Sequence, residues 1–308
     1  MSKRVLITGG AGFIGSHLAR HFAEYAEVTV LDDLRSGYAS NLEGVRCRFL
    51  QGSILDATAL SKAIAGAEEV YHLAAMISVP ESVAKPTECA ELNTEGTHRV
   101  LAAALAAGAR RVVLASSAAI YGDNPTVPKL ESMPPEPKSP YAETKLAGEQ
   151  LLEQYRQAHG LGTTSLRFFN VFGPRQDPRS AYAAAVPIFI AKALRNEPIG
   201  IHGDGGQTRD FIHVTDIVGA LAYAGASKDM AGTYNVGYGQ SQSILALAQE
   251  IIQLTSSRSK IEHLLPRAGD VRHSLASTGR LLATGWKPQS SVSTGLAETV
   301  EYFRQIKG

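Results

Sequence analysis

The chain has 308 residues, of which 44% are hydrophobic, and its formal net charge is +1; this is enough apolar sequence for one large core or two modest ones. No long run of one charge sign is present, which disfavours a nucleic-acid or anionic membrane surface, and the most apolar stretch, residues 100–109, is too short to cross a bilayer. The two cysteines, Cys47 and Cys89, lack metal-ligand spacing and predict a cytoplasmic protein with reduced thiols and no metal site.

Short apolar runs alternate with helical patterns in the first half of the chain. Strands are predicted at residues 4–8, 28–31, 45–50, 69–73, 111–115 and 163–168, and helices at residues 13–25, 57–64, 87–107 and 141–158. Short apolar strands that alternate with helices are typical of a parallel sheet covered on both faces.

The alternation of strand and helix patterns is less regular in the second half of the chain. Six prolines fall within residues 123–140, which predicts a long loop with a function. Loops are also predicted at residues 170–180 and 202–209, and helices at residues 182–195, 214–227, 243–255 and 294–305. We therefore expect a first domain at residues 1–168 and a smaller one at residues 169–308, with later segments free to return to the first.

A glycine-rich motif joins the first predicted strand to the first predicted helix. Gly9 would permit a tight turn, Gly12 would let the backbone approach a pyrophosphate, and Gly15 would let the helix pack close to the strand. Asp32 follows the second strand, where a carboxylate can bind a ribose 2′-hydroxyl and repel a 2′-phosphate, so NAD is favoured over NADP. Arg35 keeps the alternative open, because an arginine near this position can hold a 2′-phosphate.

The motif and the alternation of elements together predict the fold class. We expect an α/β protein with a Rossmann-type, doubly wound parallel sheet that binds NAD, followed by a smaller mixed α/β domain that faces the substrate.

Asn93 lies inside the predicted helix 87–107 and is a poor helix former. One interpretation is a hydrogen bond from Asn93 toward the sheet near the cofactor. The alternative is a buried asparagine that holds the helix in place.

Tyr141 and Lys145 lie four residues apart and therefore on one face of the predicted helix 141–158. A tyrosine has a pKa of about 10, but a nearby ammonium and an oxidised nicotinamide both favour the phenolate. Ser117, just after the fifth strand, can hydrogen-bond to the same substrate oxygen. We therefore predict Ser117, Tyr141 and Lys145 as catalytic residues.

The glycine motif, taken together with Ser117, Tyr141 and Lys145, resembles the motifs of the extended short-chain dehydrogenase/reductase family. Further stretches at residues 115–122, 166–178, 203–214 and 267–274 are similar to nucleotide-sugar 4-epimerases, above all to those acting on UDP-N-acetylglucosamine and UDP-glucose. The resemblance implies that Tyr141 takes the proton of the sugar 4-hydroxyl while hydride leaves C4 for tightly held NAD. The 4-keto sugar would then turn about its diphosphate link and receive hydride on the opposite face.

The resemblance also implies the binding residues. Asn170 would contact the diphosphate, Arg209 and Arg267 the phosphates, and Asp270 the uridine ribose. Ser117 and Ser274 would contact the sugar. The predicted cofactor-binding set is Gly9, Gly12, Phe13, Ile14, Gly15, Asp32, Ser53, Ile54, Leu73, Asn93, Tyr141 and Lys145. His202 and His213 are expected to be surface or core histidines.

Several residues differ from those that relatives carry at the same positions, and these differences limit the possible reactions and substrates. Ala118 and Ala119 stand where dehydratases carry an Asp-Glu pair, and neither can transfer a proton. Ser274 stands where strict UDP-glucose epimerases have a bulky tyrosine, so an N-acetyl group would fit. Ser53 replaces an aspartate that binds adenine, and Ile77 replaces a lysine found near the cofactor in some relatives.

Several alternatives remain open at this stage. These are a UDP-glucuronate 4-epimerase, another nucleotide-sugar oxidoreductase, decarboxylase or dehydratase, and a non-catalytic NAD-binding protein. Relatives pair through a four-helix bundle, which implies a homodimer formed by helices 87–107 and 141–158.

Overall fold

A computed structural model describes residues 2–178, 184–266 and 271–306. The chain divides into two compact units. The first unit combines residues 1–122, 134–168 and 218–234, and the second combines residues 123–133, 169–217 and 235–308. Residues 218–234 therefore return to the first unit from the second half of the chain.

Strands and helices alternate in the first half of the chain. The strands are β1 (Lys3–Thr8), β2 (Ala26–Asp32), β3 (Cys47–Gln51), β4 (Glu69–His72), β5 (Arg111–Ser117) and β6 (Gly162–Phe168). The helices are α1 (Phe13–Ala23), α2 (Ala57–Ile64), α3 (Val79–Ala84), α4 (Pro86–Ala90), α5 (Gly96–Ala106) and α6 (Pro140–His159).

The second half holds short strands between helices. The strands are β7 (Asn170–Phe172), β8 (Ile199–His202), β9 (Thr208–His213), β10 (Gly232–Val236), β11 (Ser241–Ser243) and β12 (Ile261–Leu264). The helices are α7 (Ala185–Ala193), α8 (Val214–Ala226), α9 (Ile244–Thr255), α10 (Gly279–Leu282) and α11 (Val292–Gln305). The predicted loops at residues 170–180 and 202–209 are wrong in part: β7 occupies the start of the first, and the second includes the last residue of β8 and the first two of β9.

One seven-stranded sheet carries the order β10-β6-β5-β4-β1-β2-β3. The neighbours from β6 to β3 pair in parallel. The order reverses between β1 and β4, and in such sheets ligands bind at the carboxyl ends of the strands beside this point. The predicted Rossmann-type fold is confirmed.

Apolar side chains from the sheet and from α2, α5 and α6 form the core of the first unit. Its fully buried members include Leu6, Val70, Leu101, Val112 and Leu152. Branched residues on these strands are covered by helices, as expected for a parallel sheet.

The second unit has its own core and two small sheets. The sheets have the orders β11-β9-β7 and β12-β8. The core joins Phe172 of β7 and Phe211 of β9 to buried side chains of α7, α9 and α11, among them Ile190, Leu247 and Leu296. Within residues 2–178, 184–266 and 271–306, no helix has the length and apolar content needed to cross a membrane.

The predicted helix 87–107 is present: α4, a π-helical turn and α5 follow one another without a break from Pro86 to Ala106. A π-helical turn, Glu91–Glu95, separates α4 from α5, and Asn93 lies in this turn. Turns of this type are frequent at functional sites.

Candidate active site

The glycine turn after β1 is closed by backbone contacts. Gly9 has a φ of +71° and donates its N–H to Leu31 O at 2.8 Å. A Cβ at Gly9 would lie 2.6 Å from the Ala74 backbone nitrogen, and one at Gly15 would overlap Gly9 O. The fold itself therefore requires glycine at positions 9 and 15.

Gly12 differs from these two glycines. It is the N-cap of α1 with ordinary extended dihedrals, and an added Cβ would meet only Gly9 O, at 3.3 Å. The first intrahelical bond runs from Ser16 N–H to Gly12 O, so the N–H groups of Phe13, Ile14 and Gly15 precede it. No acidic residue lies in this first turn. Such a helix start suits an anionic group.

Asp32 ends β2 beside the glycine turn. Its carboxylate accepts the N–H of Ala11 at 2.9 Å and of Leu34 at 2.8 Å. Burial raises the pKa of Asp32, and these two backbone hydrogen bonds oppose the rise because they favour the charged form. The carboxylate is thus fixed where the sequence predicts a ribose ligand.

The Arg35 guanidinium is bound by two acids. Its Nη1 lies 2.6 Å from Glu88 Oε1 and its Nη2 lies 2.8 Å from Glu81 Oε1. A 2′-phosphate would have to compete with both carboxylates for this guanidinium. The arrangement favours NAD over NADP.

Three other predicted cofactor residues follow strands of the same sheet. Ser53 Oγ accepts the N–H of Leu55 at 3.2 Å, and Leu73 donates its N–H to Thr8 O at 3.0 Å. Ile54 is 2% exposed and its side chain belongs to the core. The side chain of Ile54 is therefore not available to a ligand.

Asn93 makes its hydrogen bonds to the protein. Its amide oxygen accepts the N–H of Met76 at 2.7 Å, and its amide nitrogen donates to Met76 O and to Thr144 Oγ1, each at 3.0 Å. These bonds support the interpretation of a buried asparagine that ties the segment after β4 to α6. A direct contact with the cofactor stays a prediction.

Helix α6 brings Tyr141 and Lys145 to the end of β5. Ser139 caps the helix by accepting the N–H of Ala142 at 3.2 Å. Lys145 Nζ donates to Ala115 O at 2.9 Å and lies 5.7 Å from the centre of the Tyr141 ring.

The pKa values of the pair are set mainly by burial. Burial raises the pKa of Tyr141, while a hydrogen bond with Ser117 lowers it and the nearby Cys89 thiol raises it further. Burial also lowers the pKa of Lys145 to about 8, against opposing effects of Cys89 and Glu149. Because burial outweighs the effect of Ser117, Tyr141 is protonated at neutral pH in the protein alone. That Lys145 and an oxidised nicotinamide together favour the phenolate stays a prediction.

The two neighbouring serines on β5 have different partners. Ser116 Oγ donates to Glu149 Oε1 at 2.6 Å. Ser117 Oγ accepts the N–H of Ala119 at 3.1 Å, and the Ser117 side chain lowers the pKa of Tyr141. Ser117 is therefore the serine available to a substrate held by Tyr141.

The second unit contains a cavity of about 500 Å³ with Asn170 and Arg209 in its wall. Asn170 Nδ2 donates to Asp210 O at 3.2 Å, and Arg209 Nη1 donates to Thr208 O at 2.9 Å. Two cations, Arg209 and Lys192, line the cavity among the described residues, together with apolar side chains such as Phe189. No carboxylate of the described chain lines it.

Ser274 lies in a segment bound to the start of β9. Its N–H donates to Thr208 O at 3.1 Å. Arg267 and Asp270, also predicted as substrate ligands, lie outside the described residues.

Sequence reasoning missed Asp210, which is fully buried in the second unit. Its carboxylate accepts the N–H groups of Tyr238 at 2.7 Å and of Gly239 and Ala276, each at 3.0 Å. It thereby holds the segment that contains Ser274 beside β9. The available signal was a charged residue between Arg209 and the apolar pair Phe211-Ile212, which does not reveal partners distant in sequence.

Comparisons with known proteins agree with this geometry. Residues 5–237 match the NAD dependent epimerase/dehydratase family. The UDP-glucose 4-epimerase of Mycolicibacterium smegmatis is 41% identical over 310 aligned positions, which cover 98% of each chain.

Two solved structures are similar along the whole chain. The UDP-N-acetylglucosamine 4-epimerase from Methanobrevibacter ruminantium M1, in complex with UDP-N-acetylmuramic acid, has a TM-score of 0.96 at 38% identity and 99% coverage of each chain. The UDP-glucose 4-epimerase of Thermus thermophilus in complex with NAD has a TM-score of 0.89 at 37% identity, with 98% of this chain and 99% of that chain covered. The present chain belongs to the NAD dependent epimerase/dehydratase family.

Proposed function

We propose that this protein inverts C4 of a UDP-hexose, UDP-N-acetylglucosamine or UDP-glucose or both, with NAD as its cofactor. The observation that carries the proposal is the joint presence of Ser117, Tyr141 and Lys145 at the carboxyl end of β5 and of the glycine turn after β1. Similarity to 4-epimerases over nearly the whole chain supports the choice of reaction.

The residues around the glycine turn fit NAD. The open first turn of α1 suits a pyrophosphate, and Asp32 suits a ribose with two free hydroxyls. Bound NAD supplies a hydride acceptor for the carbinol carbon and a hydride donor for its return.

Tyr141 is the acid and base at the sugar 4-oxygen. Burial keeps the pKa of its hydroxyl high in the protein alone, so the phenolate needs further positive charge. Lys145 contributes one such charge from the same face of α6. Ser117 acts on the Tyr141 hydroxyl, whose pKa it lowers, and would orient the same substrate oxygen.

The cavity of the second unit supplies a binding site for the nucleoside diphosphate. Its two cations match the negative diphosphate, and its apolar wall matches a planar base. We assign Asn170 and Arg209 to the diphosphate, and extend the assignment to Arg267 and Asp270 on the resemblance of their motif.

Three residues support epimerisation of a broad UDP-hexose class. Ala118 and Ala119 follow the catalytic serine and carry no acid or base, which disfavours dehydration. Ser274 is small and leaves volume for a 2-acetamido group. A UDP-glucuronate 4-epimerase is the second candidate, because nothing at these positions excludes a carboxylate at C6.

We further propose a cytoplasmic homodimer. Both cysteines are free thiols, as is usual in a reducing compartment. Partly buried apolar side chains on α5 and α6, including Ala103, Leu151 and Tyr155, would become buried against a second copy. A monomeric mass by light scattering at micromolar concentration would contradict the dimer.

The function is tested with purified protein, no added NAD, and each UDP-sugar in turn. Anomeric-proton NMR should show the C4 epimer of UDP-glucose, UDP-N-acetylglucosamine or both. Turnover of UDP-glucuronate alone would favour the second candidate, and a 4-keto-6-deoxy product would indicate a dehydratase. No inversion of any UDP-sugar, even with NAD supplied, would refute the proposal.

A further inference from the structure

A buried ion pair lies directly beyond the catalytic residues. Glu149 follows Lys145 by four residues and therefore lies on the same face of α6. Its Oε1 lies 2.9 Å from Arg167 Nε and its Oε2 lies 2.7 Å from Arg167 Nη2. Both side chains are 6% exposed. The carboxylate also accepts the hydroxyl of Ser116, the neighbour of Ser117, at 2.6 Å.

Arg167 extends the connection to the segment after Ser117. Its Nη1 lies 2.9 Å from the Tyr121 hydroxyl, and its guanidinium lies 4.9 Å from the centre of the Tyr121 ring. Tyr121 ends a 3₁₀ turn, Ala118–Tyr121, whose N-cap is Ser117. One ion pair thus joins α6, β5, β6 and the turn that Ser117 caps.

Stability alone gives little reason for this arrangement. The desolvation of a buried ion pair usually offsets its attraction, and apolar residues of similar volume often serve as well or better. A role in positioning the neighbouring catalytic groups and in keeping Lys145 protonated would account for the ion pair.

Four titratable groups face Lys145, and two of them, Cys89 and then Glu149, raise its pKa against the effect of burial. From α6 these are Glu149 and Tyr141, from α4 Cys89, and from β4 His72. Burial lowers the pKa of His72 to about 3 and raises that of the Cys89 thiol, so both are neutral at pH 7. Glu149 carries the carboxylate that is paired with Arg167.

We propose that Glu149 is a positioning residue for the reaction: it fixes the strand end that carries Ser117 against α6, and its negative charge keeps Lys145 an ammonium at neutral pH. The proposal rests on the proposed function for its kinetic consequences. Its electrostatic part concerns the protein alone and is independent of any substrate.

The kinetic test is the pH profile of Glu149→Gln, which keeps the shape of the side chain and removes its charge. We expect kcat to fall about 10- to 100-fold at pH 7 with KM within about threefold. The alkaline limb of the kcat profile should move to lower pH by roughly one unit, because Lys145 loses its proton earlier. Glu153→Gln is the matched control, since Glu153 lies one turn further along α6 and pairs with Arg156 at the surface.

The independent test is an NMR titration of the NAD-free protein labelled at the lysine ε-carbons. Lys145→Arg assigns the resonance of Lys145. Glu149→Gln should lower the pKa of Lys145, and Glu153→Gln should leave it unchanged. This titration can be measured even if no UDP-sugar is turned over. A failure of the proposed function can therefore be distinguished from a failure of the present inference.

The outcomes separate positioning from a merely structural role. A structural role would lower Tm and kcat at every pH without moving the alkaline limb or the Lys145 titration, and that result would overturn the proposal. If Glu149→Gln does not fold, Glu149→Asp replaces it, because the shorter side chain keeps the charge but loses reach. The proposal then requires lower kcat with an unmoved alkaline limb, and wild-type kcat would refute it.

Discussion

The glycine turn allows a ligand-binding role to be separated from a folding role. Gly12→Ala introduces a Cβ that meets only Gly9 O, at 3.3 Å, in a backbone conformation that alanine adopts freely. Alanine is a poorer N-cap than glycine by about 0.5–1 kcal/mol, but it restricts the unfolded chain by a similar amount. The free energy of unfolding should therefore change by less than about 1 kcal/mol, which is a Tm shift of about 2 °C or less.

The same methyl group would have a large effect on NAD if the pyrophosphate approaches the backbone at Gly12. Steric overlap in a well-packed site costs about 1–3 kcal/mol, which corresponds to roughly a 5- to 150-fold weaker affinity. NAD affinity is measured by titration calorimetry on the NAD-free protein, and Tm is measured on the same samples by calorimetry.

Two further glycines provide the comparison. Gly15→Ala sets a Cβ against the Gly9 backbone and should lower Tm by about 4 °C or more as well as weaken NAD binding. Gly279→Ala meets nothing within 4 Å and should change neither quantity. If Gly12→Ala bound NAD like the wild type, the turn would be a feature of the fold and not a pyrophosphate site.

Three other predictions concern single side chains. Tyr141→Phe should lower kcat by about 10²–10⁴-fold while NAD affinity stays within about threefold, and retention of full activity in a coupled assay would remove Tyr141 from the chemistry. Arg35→Ala should leave the preference for NAD over NADP unchanged in binding titrations, since this guanidinium is already bound by two carboxylates, whereas Asp32→Ala should weaken that preference. Asp210→Asn leaves a backbone N–H without its acceptor and should lose about 1–3 kcal/mol in urea unfolding at pH 7. Because burial raises the pKa of Asp210 to about 6, the folded protein keeps this proton to higher pH than the unfolded chain, so wild-type stability should contain a component that falls as the pH rises from about 4 to about 6 and that the variant lacks.

The sequence predicts those features that local patterns encode. The alternation of apolar strands and helices predicts the parallel sheet, and the spacing of the glycines predicts the turn between β1 and α1. The spacing of Tyr141 and Lys145 predicts that both lie on one helix face. Each of these signals lies within a single element or a single turn.

Other features depend on contacts between distant parts of the chain and could not be predicted. The short strands β7, β8, β11 and β12 have three or four residues each, and pairing with neighbouring strands defines them. The π-helical turn at Asn93 follows from side-chain bonds to Met76 and Thr144 that no helical periodicity shows. The raised pKa of Tyr141 follows from burial, which the spacing to Lys145 does not reveal.

The central claim is that hydrogen leaves C4 of the sugar and returns to the same carbon inside the site. UDP-glucose carrying deuterium at C4 tests it when the protein is incubated with this substrate in ordinary water and the product is analysed by NMR and mass spectrometry. The account predicts UDP-galactose that retains deuterium at C4. Inversion with loss of the label to solvent, or no inversion of either UDP-glucose or UDP-N-acetylglucosamine, would contradict it.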